Sequence, residues 1–179
     1  MTEYERTIKN LAKEKKNEVF YNSSDSHARV VLNNMVENAE RYVHIVCGNM
    51  CTEVSSNPEF LDVVKAFLSK DASRTFYVLF DEYKECFLET EIAKLLSLYP
   101  TQVKVKKLKS ETHLAYKEQR AHLAISDGRA FRLETDVDKK MAFGNFNDEE
   151  NVKVFEEVFN SYFEDDTHSE SIDLTDVAA

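Results

Sequence analysis

A chain of 179 residues with 42% hydrophobic residues, 12 Phe and 8 Tyr can fill one sizeable core but has little left for a second. Its 3 Gly and 2 Pro exclude a string of small linked modules, a P-loop and a GxGxxG turn. The net charge of −10 is concentrated: residues 148–179 carry eleven acids against Lys153 alone, so residues 1–147 are neutral and acidity says nothing about a local anion site.

In chain order, residues 3–16 are charged and weakly amphipathic, and are expected to form a helix on the surface or against a partner. Residues 18–22 alternate like a short strand. Ser24 or Asp25 then caps a helix running to about Arg41, with Val30, Val31, Met35 and Ala39 at helical spacing. A β run follows at 42–48, and Asn57-Pro58 opens the next helix. Residues 74–81 are continuously apolar, as in a strand covered on both faces. A helix is predicted over 84–98, then a lysine-bearing edge strand over 102–108 and a polar loop over 109–119. Strands at 121–126 and 130–135 flank the Asp127-Gly128 hairpin signal, and a final helix covers about 148–163.

This order predicts an α/β fold: a mostly parallel central sheet, helices on both faces, and a C-terminal β-hairpin followed by a helix. Residues 1–17 are an N-terminal helix, 18–163 a single domain, and 164–179 an acidic mobile tail. No apolar run is long enough for a membrane helix, and the first ten residues lack a secretory pattern. Three cysteines (Cys47, Cys51, Cys86) with no CxxC pair read as free thiols in a reducing compartment, hence the cytoplasm.

Several chemistries find no support. There is no HExxH motif, no Cys/His cluster with metal-ligand spacing and no GxSxG elbow, so neither a metal nor another cofactor is expected. His44 reads as a hydrogen-bonded histidine within the sheet. Asp81-Glu82 closes the most apolar strand, where ligand sites of open sheets fall, but no further carboxylates can be placed beside it. Lys104, Lys106, Lys107 and Lys109, with Lys117 and Arg120, form the one local basic excess. Nucleic acid is conceivable there, but a solvated edge is favoured because only Tyr116 is available for stacking.

What remains is Arg120-Ala-His122, Asp127-Gly128, Arg132-Leu-Glu134 and Gly144-Asn145-Phe146-Asn147. This stretch, with the order of elements over 18–163, resembles the phospholipase D-like superfamily, whose motif is HxK, four residues, Asp, then Gly-Ser and Asn. The resemblance implies a positioned histidine nucleophile, a histidine acid, and lysines and asparagines around a phosphate, assembled where two motifs meet. The match is degenerate. With His122 as the motif histidine, the lysine position is Ala124 and the aspartate position Arg129. With Asp127-Gly128 aligned instead, the histidine and lysine positions are Arg120 and His122.

The resemblance therefore implies a single-copy, degenerate domain acting as a non-catalytic interaction or regulatory module of bacterial or mobile-element origin, working as a homodimer with an unidentified protein partner. Arg120, His122, Asn145 and Asn147 are the candidate anion ligands, and Asp127, Arg132 and Glu134 structural or site-lining groups. Arg120 or Arg132 could also pair with Glu134. The alternative is a homodimeric phosphodiesterase or nuclease using His122, and a third reading is an acidic inhibitor of a nucleic-acid-binding protein.

Overall fold

The computed structural model describes residues 1–109, 112–175 and 177. Ser110 and Glu111 of the expected loop, and Asp176, Ala178 and Ala179 of the expected tail, lie outside the described residues. Helix α1 (Glu3–Lys13) opens with a reciprocal cap: the Thr2 hydroxyl accepts from Glu5 N while the Glu5 carboxylate accepts from Thr2 N. It buries Ile8, Leu11 and Ala12, and Tyr4 stacks on His27, so the helix lies on the core of its own chain.

Next come β1 (Phe20–Asn22), α2 (Asp25–Glu37, capped by Ser24), β2 (Tyr42–Cys47), α3 (Pro58–Lys70, capped by Asn57) and β3 (Thr75–Phe80). The single helix expected over 84–98 is instead a 3-10 turn at Glu85–Glu89 and a short α4 (Glu91–Ser97). Thr90 divides them. Its backbone is extended and its hydroxyl accepts from Ala93 N, so it ends one element and caps the next.

The remaining elements are β4 (Val103–Leu108), β5 (Ala115–Tyr116), β6 (Gln119–Arg120), β7 (His122–Ser126), β8 (Ala130–Asp136), β9 (Met141–Asn145), α5 (Glu149–Phe163) and β10 (Ser169–Ser171). β5 and β6 pair with each other, β5 inside the expected loop and β6 across its end. The other eight strands form one sheet in the order β1-β9-β8-β7-β2-β3-β4-β10.

Only β2–β3 and β3–β4 are parallel, so the expectation of a mostly parallel sheet is corrected. The reason is the short connections. β7, β8 and β9 follow one another through tight turns, which can only reverse the chain. Helices do cover both faces, unevenly. α1 to α4 pack with Ile45, Phe76, Val78 and Phe80 on one face, while α5 packs Val152, Phe159 and Phe163 against Val46, Leu79 and Leu123 on the other.

Gly144 marks a close approach. A Cβ there would lie 2.3 Å from the Phe131 carbonyl oxygen and 2.4 Å from Phe20 Cζ. Gly144→Ala should therefore cost about 1–3 kcal/mol through overpacking, read as a lower urea midpoint.

Two further expectations change. β4 is not an edge, because β10 pairs antiparallel along it, so part of the expected mobile tail is an ordered strand. And Cys51 and Cys86 form a disulfide with Cα atoms 6.4 Å apart, leaving only Cys47 free. Their separation of 35 positions hides the pairing in the sequence. The loops after the neighbouring parallel strands β2 and β3 leave the same end of the sheet, which brings the two cysteines together. Among the described residues no helix is long and apolar enough to cross a membrane.

Candidate functional site

Because β7 runs antiparallel beside β2, it begins where β2 ends. Gly48, Asp81, Glu82 and His122 consequently meet at the carboxyl end of the parallel strands, where ligands bind in open α/β sheets. Two backbone bonds fix this junction: Asp81 N donates to Cys47 O and Glu82 N to Gly48 O, both at 2.8 Å.

The Asp81 side chain is fully buried. Its carboxylate is bonded by His113 Nδ1 at 2.6 Å and by Arg120 Nε, and lies 3.7 Å from His122 Nε2. Arg120 also donates through Nη1 to Glu82 Oε1 at 2.7 Å. On its other side His122 Nδ1 meets Glu134 Oε2 at 2.9 Å, Glu134 Oε1 accepts from Arg132 Nη2 at 2.8 Å, and Arg132 Nε donates to Asn22 Oδ1 at 2.9 Å. Sheet register explains the chain: His122 faces Glu134 and Ala124 faces Arg132 across neighbouring strands, so these side chains share one face. A line of alternating charge thus runs beneath α2 from β1 to the end of β3.

Burial and charge compete along this line. Burial alone would raise the Asp81 pKa, but His122 at 3.7 Å and the hydrogen bonds from His113 and Arg120 outweigh it and hold the group at about 2. Burial opposes a charge on His122, yet Asp81 and Glu134 on either side raise its pKa above the ordinary value. Burial would likewise raise Glu134, and His122 with Arg132 hold it down.

Two buried donors are left over. His122 Nε2 and Arg120 Nη2 have no hydrogen-bond partner. Both look onto Gly48, where a Cβ would sit 3.6 Å from the first and 3.8 Å from the second. They border a cavity of about 380 Å³ that also reaches Asn49, Thr52, Glu53, Arg132, Glu134 and Lys140.

The sequence-predicted residues divide accordingly. Arg120 and His122 come together, and Arg132 pairs with Glu134 beside them. Asn145 and Asn147 are not brought to this point. Asn145 Nδ2 donates to Asn17 Oδ1 at 2.7 Å and its Oδ1 accepts from Asn147 N at 2.8 Å. By register Asn145 stands level with Phe131 and Ile125, about 10 Å along β7 from His122. Asp127 lies at that far end too, binding backbone amides. Sequence reasoning noted Asp81 and Glu82 as a strand end, but gave no sign of His113, Asn22 or Gly48. Among the described residues no group of three or more His, Cys, Asp or Glu side chains could hold a metal ion.

Several solved structures share this fold. The chain is similar to TrmBL2, an archaeal chromatin protein whose structure shows a novel mode of DNA binding, with a TM-score of 0.61 and 14% identity over 94% of this chain and 60% of that one. It is also similar to NucT from Helicobacter pylori, with a TM-score of 0.56 and 16% identity over 83% of this chain and 96% of that one. Phosphatidylserine synthase of Haemophilus influenzae Rd KW20 gives a TM-score of 0.55 at 8% identity, over 90% of this chain and 41% of that one. The chain shares its fold with these three proteins. The chain spans 60% of the length of TrmBL2, and at these identities the likeness is one of fold. No protein-family model matches the sequence. No curated protein matches it either.

In the motif resemblance drawn from the sequence, aligning Asp127-Gly128 with the motif aspartate puts Arg120 and His122 at the histidine and lysine positions, and these are the two side chains that meet at Asp81. The other alignment needs Ala124, which is apolar, and Arg129, whose guanidinium turns to Asp127 and Asn38 O.

Proposed function

We propose that this chain is a non-catalytic phospholipase D-like module that binds one anionic group of a partner molecule over Gly48 without cleaving it. The observation that carries this reading is the pair of buried donors without a hydrogen-bond partner, His122 Nε2 and Arg120 Nη2, that lie together beside Gly48. The two carboxylates beside His122 favour its protonated form, which has no lone pair for attack on phosphorus, over the opposing effect of burial, and arginine does not serve as a proton-donating acid at neutral pH. The cavity wall mixes Asp25, Glu53, Glu82 and Glu134 with Arg120, Arg132 and Lys140. That balance suits a singly charged carboxylate or phosphodiester better than a doubly charged phosphomonoester. The module acts as a homodimer, and sedimentation at micromolar concentration should give twice the chain mass.

One observation favours the catalytic alternative. Glu134 holds His122 by Nδ1 and turns Nε2 toward the cavity, the orientation a nucleophilic imidazole needs once it loses its proton. Bis-4-nitrophenyl phosphate and single- and double-stranded DNA, assayed from pH 5 to 9, separate the two readings. We expect no turnover at any pH. Hydrolysis that rises with pH and disappears in His122→Ala would overturn the binding-only reading.

A further inference from the structure

The free edge of β4 would be an unusual strand. Its outward positions are lysines, and they lie on both faces of the sheet: Lys104 and Lys106 extend over the Tyr77 and Phe163 rings, and Lys107 over Tyr83. The C-terminal segment closes this edge. Ser169, Glu170 and Ser171 pair with Leu108, Lys107 and Lys106, and the ladder is extended by Lys109 N to His168 O and Ile172 N to Val105 O, both at 2.9 Å. Charge follows backbone: Lys106 Nζ lies 3.0 Å from Asp166, Lys107 Nζ lies 3.1 Å from Glu170, and Lys109 Nζ donates to Asp166 O.

We propose that the outer edge of β4 is a docking slot for an acidic, extended segment of a partner protein, and that the chain's own C-terminal strand occupies it as a removable plug. The slot recognises two things at once, a strand backbone and carboxylates on either side of it. Strand addition with charge selection uses this chemistry. A nucleic-acid backbone following one face would meet only Lys104 and Lys106, and the rings beneath the lysines are already covered by their ammonium groups.

The plug is held less firmly than the central strands. Its strand is three residues long with one further backbone bond at each end, and of those three only Ser169 is fully buried. Ile172, Leu174 and Val177 are partly buried against the core. The acid side of each ion pair is exposed, 90% for Asp166 and 53% for Glu170. Such a segment opens locally far more readily than the central sheet. The link from α5 to β10 is only Glu164–His168, so a released plug stays near its slot and competes at high effective concentration. A partner strand therefore binds weakly until the plug is disabled, which makes the tail a regulator of this surface.

A fluorescein-labelled peptide copying residues 165–177 tests the proposal by anisotropy, on the full chain and on its Ile172→Pro variant. Proline removes the amide that bonds Val105 O. The peptide should bind the variant at least tenfold more tightly than the unaltered chain. Lys106→Gln with Lys107→Gln in the variant, or Asp166→Asn with Glu170→Gln in the peptide, should erase that gain. Equal binding to both chains, or displacement of the peptide by a dodecamer of deoxythymidine, would overturn the proposal. If Ile172→Pro loses its far-UV circular dichroism, hydrogen exchange on the unaltered chain decides. The amides of Lys109 and Ile172 should exchange at least a hundredfold faster than that of Asp81, and comparable protection would show a plug too firmly built to open.

Discussion

Asp127→Ala is expected to lower the unfolding free energy by about 3–5 kcal/mol, seen as a lower urea midpoint with an unchanged slope. Asp127 is fully buried and its two oxygens hold the start of β2 to the β7–β8 turn. Oδ2 accepts from Glu40 N at 2.7 Å, and Oδ1 accepts from Arg41 N at 2.8 Å and Tyr42 N at 3.1 Å. Alanine would strand three backbone donors and leave Arg129 Nη2, 3.3 Å from the carboxylate, with only the more distant, exposed Glu40 as its acid. It would also have to adopt φ +57°, a left-handed conformation that Asp and Asn tolerate better than Ala. Asp127→Asn keeps one acceptor oxygen and the tolerance for positive φ, so its loss should be roughly half as large. Because this turn is at the opposite end of β7 from Gly48, neither variant should alter anion binding by the folded fraction.

Local signals carried most of the fold. Ser24, Asn57 and Asp148 each cap a helix through a side-chain oxygen, and Pro58 stands at the first turn of α3, so those starts could be read from residue type alone. The Asp127-Gly128 turn was equally plain, both residues having positive φ. The misses concern pairing. Met141–Asn145 and Ser169–Ser171 are short, and neither shows an alternation of its own; they are strands because β8 and β4 offer them ladders. Parallel or antiparallel direction, and the meeting of Cys51 with Cys86, depend on which strands become neighbours.

The candidate site divides along the same line. Arg120 and His122 were legible because the Asp-Gly turn fixes their distance from it. Their fates were not, because Asp81 comes from 39 residues away and Glu134 reaches His122 only through strand register. Asn145 and Asn147 looked like partners in the motif, but the ladder sets Asn145 level with Ile125 rather than His122.

The two sheet histidines should pull stability in opposite directions with pH. His44 faces α5, stacked at 5.0 Å on Tyr77 and 4.6 Å on Phe159, and its Nδ1 has no partner, contrary to the hydrogen-bonded histidine expected from the sequence. Burial lowers its pKa from 6.5 to about 4. Between those values the unfolded chain binds the proton and the folded chain does not, so stability falls as pH drops from 6.5 to 4, by up to roughly 3 kcal/mol. Asp81 extends this acid limb. Its folded value of about 2 lies below the ordinary 3.8, so its contribution is complete above 3.8 and is lost as pH falls toward 2. His122 acts the other way. Its raised pKa gives stability that is fully present below 6.5 and lost as pH rises through the folded value. Maximum stability should therefore lie near pH 6.5. His44→Phe keeps the aromatic stack and removes only the titration. Thermal melts should show it more stable than the parent at pH 4.5, with the difference shrinking as pH rises to 7. A gain of the same size at both pH values would instead mean that the phenyl ring improves packing, and that His44 contributes nothing to the acid limb.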